Sequence, residues 1–106
     1  QVVLNLISNA KDALAERKIA HGNIEINVLP HEGGVIITVD DNAGGIPDEH
    51  LDKIFDPYFT TKEHGTGVGL YMTRTIVEQH MHGSIRAGNT AYGARFTLDL
   101  PHNLSA

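Results

Sequence analysis

Asn5, Asn9, Asp12 and Glu16 recur at spacings of four, three and four residues. On a helix turning about 100° per residue they fall within about 60° of one another. Asparagine is a weak interior helix former, and a merely solvated stripe is served better by Glu, Lys or Gln. Two amides and a carboxylate on one stripe read equally well as a solvated face or as oxygen ligands aimed at a bound group. A second candidate is Asp41-Asn42-Ala43-Gly44-Gly45-Ile46-Pro47, where a carboxylate stands beside glycines that let backbone approach a ligand closely. By itself it reads more readily as an ordinary Asp/Asn/Gly turn. The third, Gly65-Thr66-Gly67-Val68-Gly69-Leu70, opens a helix whose N-terminal amides suit a phosphate, with a flexible connector as the plain alternative. It is neither a dinucleotide fingerprint, because Leu70 stands at the third glycine, nor a P-loop, because Lys62 precedes the glycines.

The elements that must position these groups follow from periodicity. Val3, Leu6, Ile7, Ala10, Ala13 and Leu14 keep the helical period, and the pattern ends near Arg17-Lys18. Residues 23–29 alternate as a strand, Gly33-Gly34 can turn the chain, and residues 35–39 continue as a more buried strand. A turn-rich loop over 40–47 leads into a short helical stretch from about Asp48 to Phe55, stopped by Asp56-Pro57. Leu70, Thr73, Ile76, Val77 and His80 mark a second long helix, closed by Gly83. Residues 84–87 and 94–100 read as two further strands about a Gly88-Asn89-Thr90 turn, with Ala94, Phe96, Leu98 and Leu100 on one face. The sum is an α/β (α+β) two-layer sandwich, with helices on one face of a mixed, mostly antiparallel sheet. No repeat, linker or low-complexity tract divides residues 1–106.

Composition limits the function classes. The 106 residues carry eight Lys and Arg against 13 Asp and Glu, a formal charge of −5, with 41% apolar content and no cysteine. A chain of this length buries roughly 65% of its unfolded surface, enough for one core. Thiolate metal sites, disulfides and a cysteine nucleophile are excluded. Without a basic cluster to meet a phosphate backbone, a nucleic-acid role is disfavoured. Apolar runs such as Val35-Ile36-Ile37 fall far short of the ~20 residues of a membrane span. With no targeting segment, the expected compartment is the cytoplasm, without direct membrane contact. The chain opens on Gln1, inside a patterned helix, and so reads as a piece of a longer protein.

Taken together and in this order, the motifs resemble the ATP-binding catalytic domain of sensor histidine kinases, in the superfamily that includes DNA gyrase B, Hsp90 and MutL. Residues 1–13 (QVVLNLISNAKDA) resemble its asparagine box and 41–47 (DNAGGIP) its first glycine box; 54–62 (IFDPYFTTK) resemble its phenylalanine box and 65–70 (GTGVGL) its second glycine box. The resemblance covers nearly the whole chain and implies an N-terminally truncated Bergerat-type ATP-binding fold. It also implies transfer of the γ-phosphoryl group of Mg-ATP to a histidine on a separate dimerisation domain, with a response regulator downstream. Whether the parent protein is membrane-anchored is left open.

Carried over by position, Asn9 would hold Mg²⁺ through its amide oxygen, a hard ligand for a hard cation. Asp12 lies on the same nucleotide-facing stripe. Asp41 would accept a hydrogen bond from the adenine amino group; guanine's carbonyl there would leave two acceptors facing each other. Gly45 and Ile46 would let the loop close over the base. Gly65, Gly67, Val68, Gly69 and Leu70 would present amides to the phosphates, and Thr60, Thr61 and Thr66 would belong to a lid. Lys62 is the candidate cation near the terminal phosphates, whereas Phe55 and Phe59 would anchor the lid. Hydrolytic relatives typically carry a glutamate at the position of Asn5, and an amide cannot take a proton from water. Asn5 thus favours transfer to histidine, which near pH 7 is already nucleophilic.

The acceptor is expected outside this chain, since His31-Glu32 runs into a hairpin turn. Three departures from the family pattern stand out. Ala43 replaces a glycine, which is tolerable only at negative φ. Asp12 stands where many members carry a lysine, and the lid between Lys62 and Gly65 is short. The missing upstream strand would leave a sheet edge bare, inviting dimerisation or strand exchange. Two rival readings are a non-catalytic nucleotide-sensing module and a hydrolytic ATPase of the same fold.

Overall fold

The computed structural model describes residues 2–59 and 69–101. Helix α1 spans Val2–Glu16, and Val2, Leu6 and Ala10, one turn apart, are its buried residues. It ends in a Schellman arrangement: Lys18 takes φ 54°, its N–H donates to Ala15 O at 3.2 Å, and Ile19 N–H donates to Leu14 O at 3.0 Å. Strands β1 (Ile24–His31) and β2 (Gly34–Asp41) then form a hairpin in which His31 faces Gly34. The turn is therefore Glu32-Gly33, not Gly33-Gly34. Gly33 takes the positive φ of 77°, whereas Gly34 already belongs to β2, where a Cβ would meet Leu100 O at 2.2 Å.

β2 also runs further than expected. Asp40 and Asp41 are strand residues, because Glu25 and Ile24 pair with them on one side and Arg95 pairs with Asp40 on the other. Helix α2 is only Asp48–Leu51, continued by turns. Helix α3 (Gly69–Thr75) passes into a wider π-helical turn over Ile76–His80, with Met81 N–H donating to Ile76 O at 3.1 Å. The left-handed residue that ends it is His82 at φ 55°, not Gly83. Gly83 is needed for another reason, since a Cβ there would lie 2.4 Å from Asp99 O. Strands β3 (Ser84–Asn89) and β4 (Ala94–Pro101) complete the set, so Gly88 and Asn89 are strand residues and the turn falls at 90–93.

The sheet order is β1-β2-β4-β3, and every pairing among the described strands is antiparallel. No parallel component of a mixed sheet is present among them. The register puts Val35, Ile37 and Val39 opposite Leu100, Leu98 and Phe96, with Ile85 and Ala87 beyond. Together with Val2 and Leu6 of α1, Ile54, and Val77 after α3, this face forms the core, in which Leu6 and Val77 are fully buried. The alternation in β4 holds, except that Thr97 is also buried. Phe55 meets Phe96 edge to face with ring centroids 6.3 Å apart, and His50 meets Phe59 in the same manner at 5.3 Å. On the opposite sheet face Arg95 makes three hydrogen bonds of 2.8–3.1 Å to Asp40. Those bonds and the Asp40 charge raise the Arg95 guanidinium above its ordinary pKa.

β1 is an edge strand, and cover over it is thin. Its core-side residues Ile26 and Val28 are 43% and 60% exposed, and Leu4 of α1 is 65% exposed. No helix among the described residues is long and apolar enough to cross a membrane.

Candidate functional site

α1 carries the amide stripe against α3. Asn5 is half-buried, and its Nδ2 donates to the hydroxyl of Thr73 at 3.3 Å. Thr73 is fully buried, and its hydroxyl in turn donates to Gly69 O at 2.9 Å. A buried hydroxyl must find partners, so this seam fixes the helices in register as well as in contact. Asn9 is half-buried and Asp12 exposed, and both have interaction partners. Gly69 opens α3, while Leu70 packs at the margin of the core.

Asp41 ends β2 with only 9% of its surface exposed. Its Oδ1 accepts the N–H of Ala43 at 3.0 Å and that of Ala94 at 3.2 Å. Among the described residues Oδ2 accepts no hydrogen bond, so the carboxylate is held by one oxygen with the other left as an acceptor. The loop that follows is bent by Gly44 and Gly45 at φ 96° and 88°. Ala43 is buried and does not have positive φ, which explains why alanine is tolerated where a glycine was expected.

Ties from two segments distant in sequence, residues 17–23 and 89–92, hold the loop. Arg17, just past α1, donates from Nη1 to Ala43 O at 2.6 Å. Asn42 accepts from Asn23 N–H at 2.8 Å and donates to His21 O at 2.9 Å. Gly44 N–H donates to Tyr92 O at 3.2 Å. Asn89 accepts from Ile46 N–H at 2.7 Å and donates to Ile46 O at 2.8 Å. Sequence reasoning did not single out Arg17, Thr73, Asn89 or Gly93 as part of the site. Gly93 lies so close under Asp41 that a Cβ would come within 2.2 Å of its carbonyl oxygen and 2.6 Å of Oδ1. Its signal was a glycine just before a patterned strand. The others carried no local signal, because their partners lie far away in sequence.

The site therefore joins three parts through α1 and its end: the amide stripe, the start of α3 by way of Asn5, and the Asp41–Ile46 segment by way of Arg17. Thr60, Thr61, Lys62, Gly65, Thr66, Gly67 and Val68 lie outside the described residues. No three His, Cys, Asp or Glu side chains among the described residues gather to hold a metal. Asn9, half-buried on α1, carries an amide oxygen, a hard donor of the type that hard divalent cations accept.

Residues 1–104 match the family of histidine kinase-, DNA gyrase B-, and HSP90-like ATPases. The chain is 45% identical over 106 residues to the sensor histidine kinase ZraS of Escherichia coli O157:H7, covering 99% of this chain and 22% of that protein. It therefore spans about a fifth of that relative's length. The nucleotide-free catalytic domain of histidine kinase ThkA superposes with a TM-score of 0.84 at 36% identity, over 96% of this chain and 64% of that one. ThkA in complex with the response regulator protein TrrA superposes at 0.78 with 32% identity, over 98% of this chain and 28% of that one.

Proposed function

The chain belongs to the histidine kinase-, DNA gyrase B-, and HSP90-like ATPase family, and on that premise we propose that residues 1–106 form the catalytic unit of a two-component sensor kinase. The unit binds Mg-ATP and donates its γ-phosphoryl group to a histidine on a separate dimerisation domain, in the cytoplasm, for onward passage to a response regulator. The observation that carries this reading is Asp41: a buried carboxylate, fixed through Oδ1 by two backbone amides, keeps Oδ2 for a donor such as the adenine amino group. A fixed acceptor discriminates by leaving a mismatched carbonyl unpaired against it.

Phosphoryl transfer passes through a loose transition state, so positioning and electrostatics carry the catalysis. Gly45 and Ile46 cover the base, while Gly65, Gly67, Val68, Gly69 and Leu70 offer amides to the phosphates. Asn9, beside Asp12, would hold Mg²⁺, whose charge offsets that of the phosphates. Thr60, Thr61 and Thr66 serve the lid, with Lys62 as its cation. Asn5 abuts Thr73 and has no group able to take a proton from water, which supports transfer over hydrolysis.

The test mixes the purified chain with labelled ATP and a cognate histidine-bearing domain. Acid-labile phosphate on that partner, and none on the chain alone, is expected. Nucleotide binding without transfer indicates a sensing module instead. Steady release of inorganic phosphate without a partner indicates a hydrolase.

A further inference from the structure

Asn89 stands at the end of β3, exposed, and 43 residues from Ile46 in sequence. Its carboxamide nevertheless engages both backbone groups of Ile46, accepting the N–H at 2.7 Å and donating to the carbonyl at 2.8 Å. The side chain thus acts as one rung of a strand ladder for a segment that itself lies outside any strand. The fit is close, because a Cβ on Gly45 would lie 2.9 Å from Asn89 Oδ1.

The same rung reaches Asp41. Asn89 pairs with Ala94 across β3 and β4, and Ala94 N–H donates to Asp41 Oδ1 at 3.2 Å. One backbone pair therefore ties both the buried acceptor and the loop beside it. We infer that Asn89 is a positioning residue for base recognition, setting the Gly45–Ile46 segment at a fixed height relative to the Asp41 carboxylate. The inference rests on the reading of Asp41 as the purine contact. It requires a side chain that both donates and accepts, which neither alanine nor an ionised aspartate supplies.

Asn89→Ala and the near-isosteric Asn89→Asp test this in the 106-residue chain, the second placing two acceptors face to face at Ile46 O. Because Asn89 is exposed, both variants keep the wild-type fold, checked by melting temperature and amide spectra. Loss of the paired bonds weakens Mg-ADP binding by about tenfold in calorimetry. Binding of inorganic triphosphate, which has no base, stays unchanged, and the Ile46 amide exchanges its hydrogen faster than in the wild type. Equal loss of ADP and triphosphate binding, or ADP binding that is unchanged in both folded variants, overturns the role of Asn89. A wild-type chain that binds triphosphate and shows no preference for ADP overturns the reading of Asp41 instead.

Discussion

Arg17 reaches from the end of α1 to the carbonyl of Ala43, 26 residues away, and donates a 2.6 Å hydrogen bond there. That contact makes the opening helix and the glycine loop one unit. A bond from a charged donor contributes about 1.5–3 kcal/mol at most, and less at an exposed residue such as this one. Arg17→Met keeps the aliphatic stem and removes the donor. It should lower stability by about 1 kcal/mol and weaken ADP binding several-fold, as read by denaturant unfolding and calorimetry.

Asp41→Asn retains an oxygen for the Ala43 and Ala94 amides but turns the other position into a donor. The fold should survive while adenine nucleotides lose at least about tenfold in affinity. Thermal shifts with ATP, ADP and GTP measure this: the wild type should be stabilised by the adenine nucleotides alone, and the variant should lose that preference.

Gly93→Ala drives a Cβ to 2.2 Å from the Asp41 carbonyl oxygen, and backbone cannot swing aside as a flexible side chain would. Overpacking of this kind costs about 1–3 kcal/mol. The melting temperature should fall by roughly 5–15 °C, with ADP affinity falling too because Asp41 itself is displaced.

Asn9→Ala removes the amide oxygen assigned to Mg²⁺ and leaves the buried neighbours Leu6 and Ala10 untouched. Calorimetry with and without the metal should show that the affinity gained from Mg²⁺ in the wild type is gone. A variant whose Mg²⁺ dependence equals the wild type's removes Asn9 from the metal site.

Among the described residues β1 lies at a sheet edge, with Ile26 43% and Val28 60% exposed, and such an edge on the isolated chain should favour pairing with another copy. Pro30 blunts only one end of that strand, since it lacks an N–H to offer. Sedimentation should reveal association that grows with concentration, and Ile26→Lys should return the chain to monomer.

Most of the element order was legible because its causes are local. The spacing of Leu6 and Ala10, the alternation of Phe96, Leu98 and Leu100, and the turn at Gly33 each depend on neighbours a few residues away. The errors fell where pairing decides. Asp40 and Asp41 look like loop residues until Glu25, Ile24 and Arg95 pair with them, and Asn89 looks like a turn residue until Ala94 faces it. Gly83 reads as a helix stop by its type, whereas the turn closes through His82 and Gly83 is kept for its approach to Asp99.

From the sequence alone came the types and order of the chemical groups: the amide stripe on α1, the carboxylate before two glycines, and the glycine run before α3. Residue type and short-range spacing suffice for these, because each motif lies within one or two turns of chain. Tertiary structure alone decided what holds them in place. Asn5 meets Thr73 across 68 residues, Asn89 meets Ile46 across 43, and Ala94 meets Asp41 across 53. Hydrogen bonds of that reach exist only after the sheet register and helix packing have brought the two ends together.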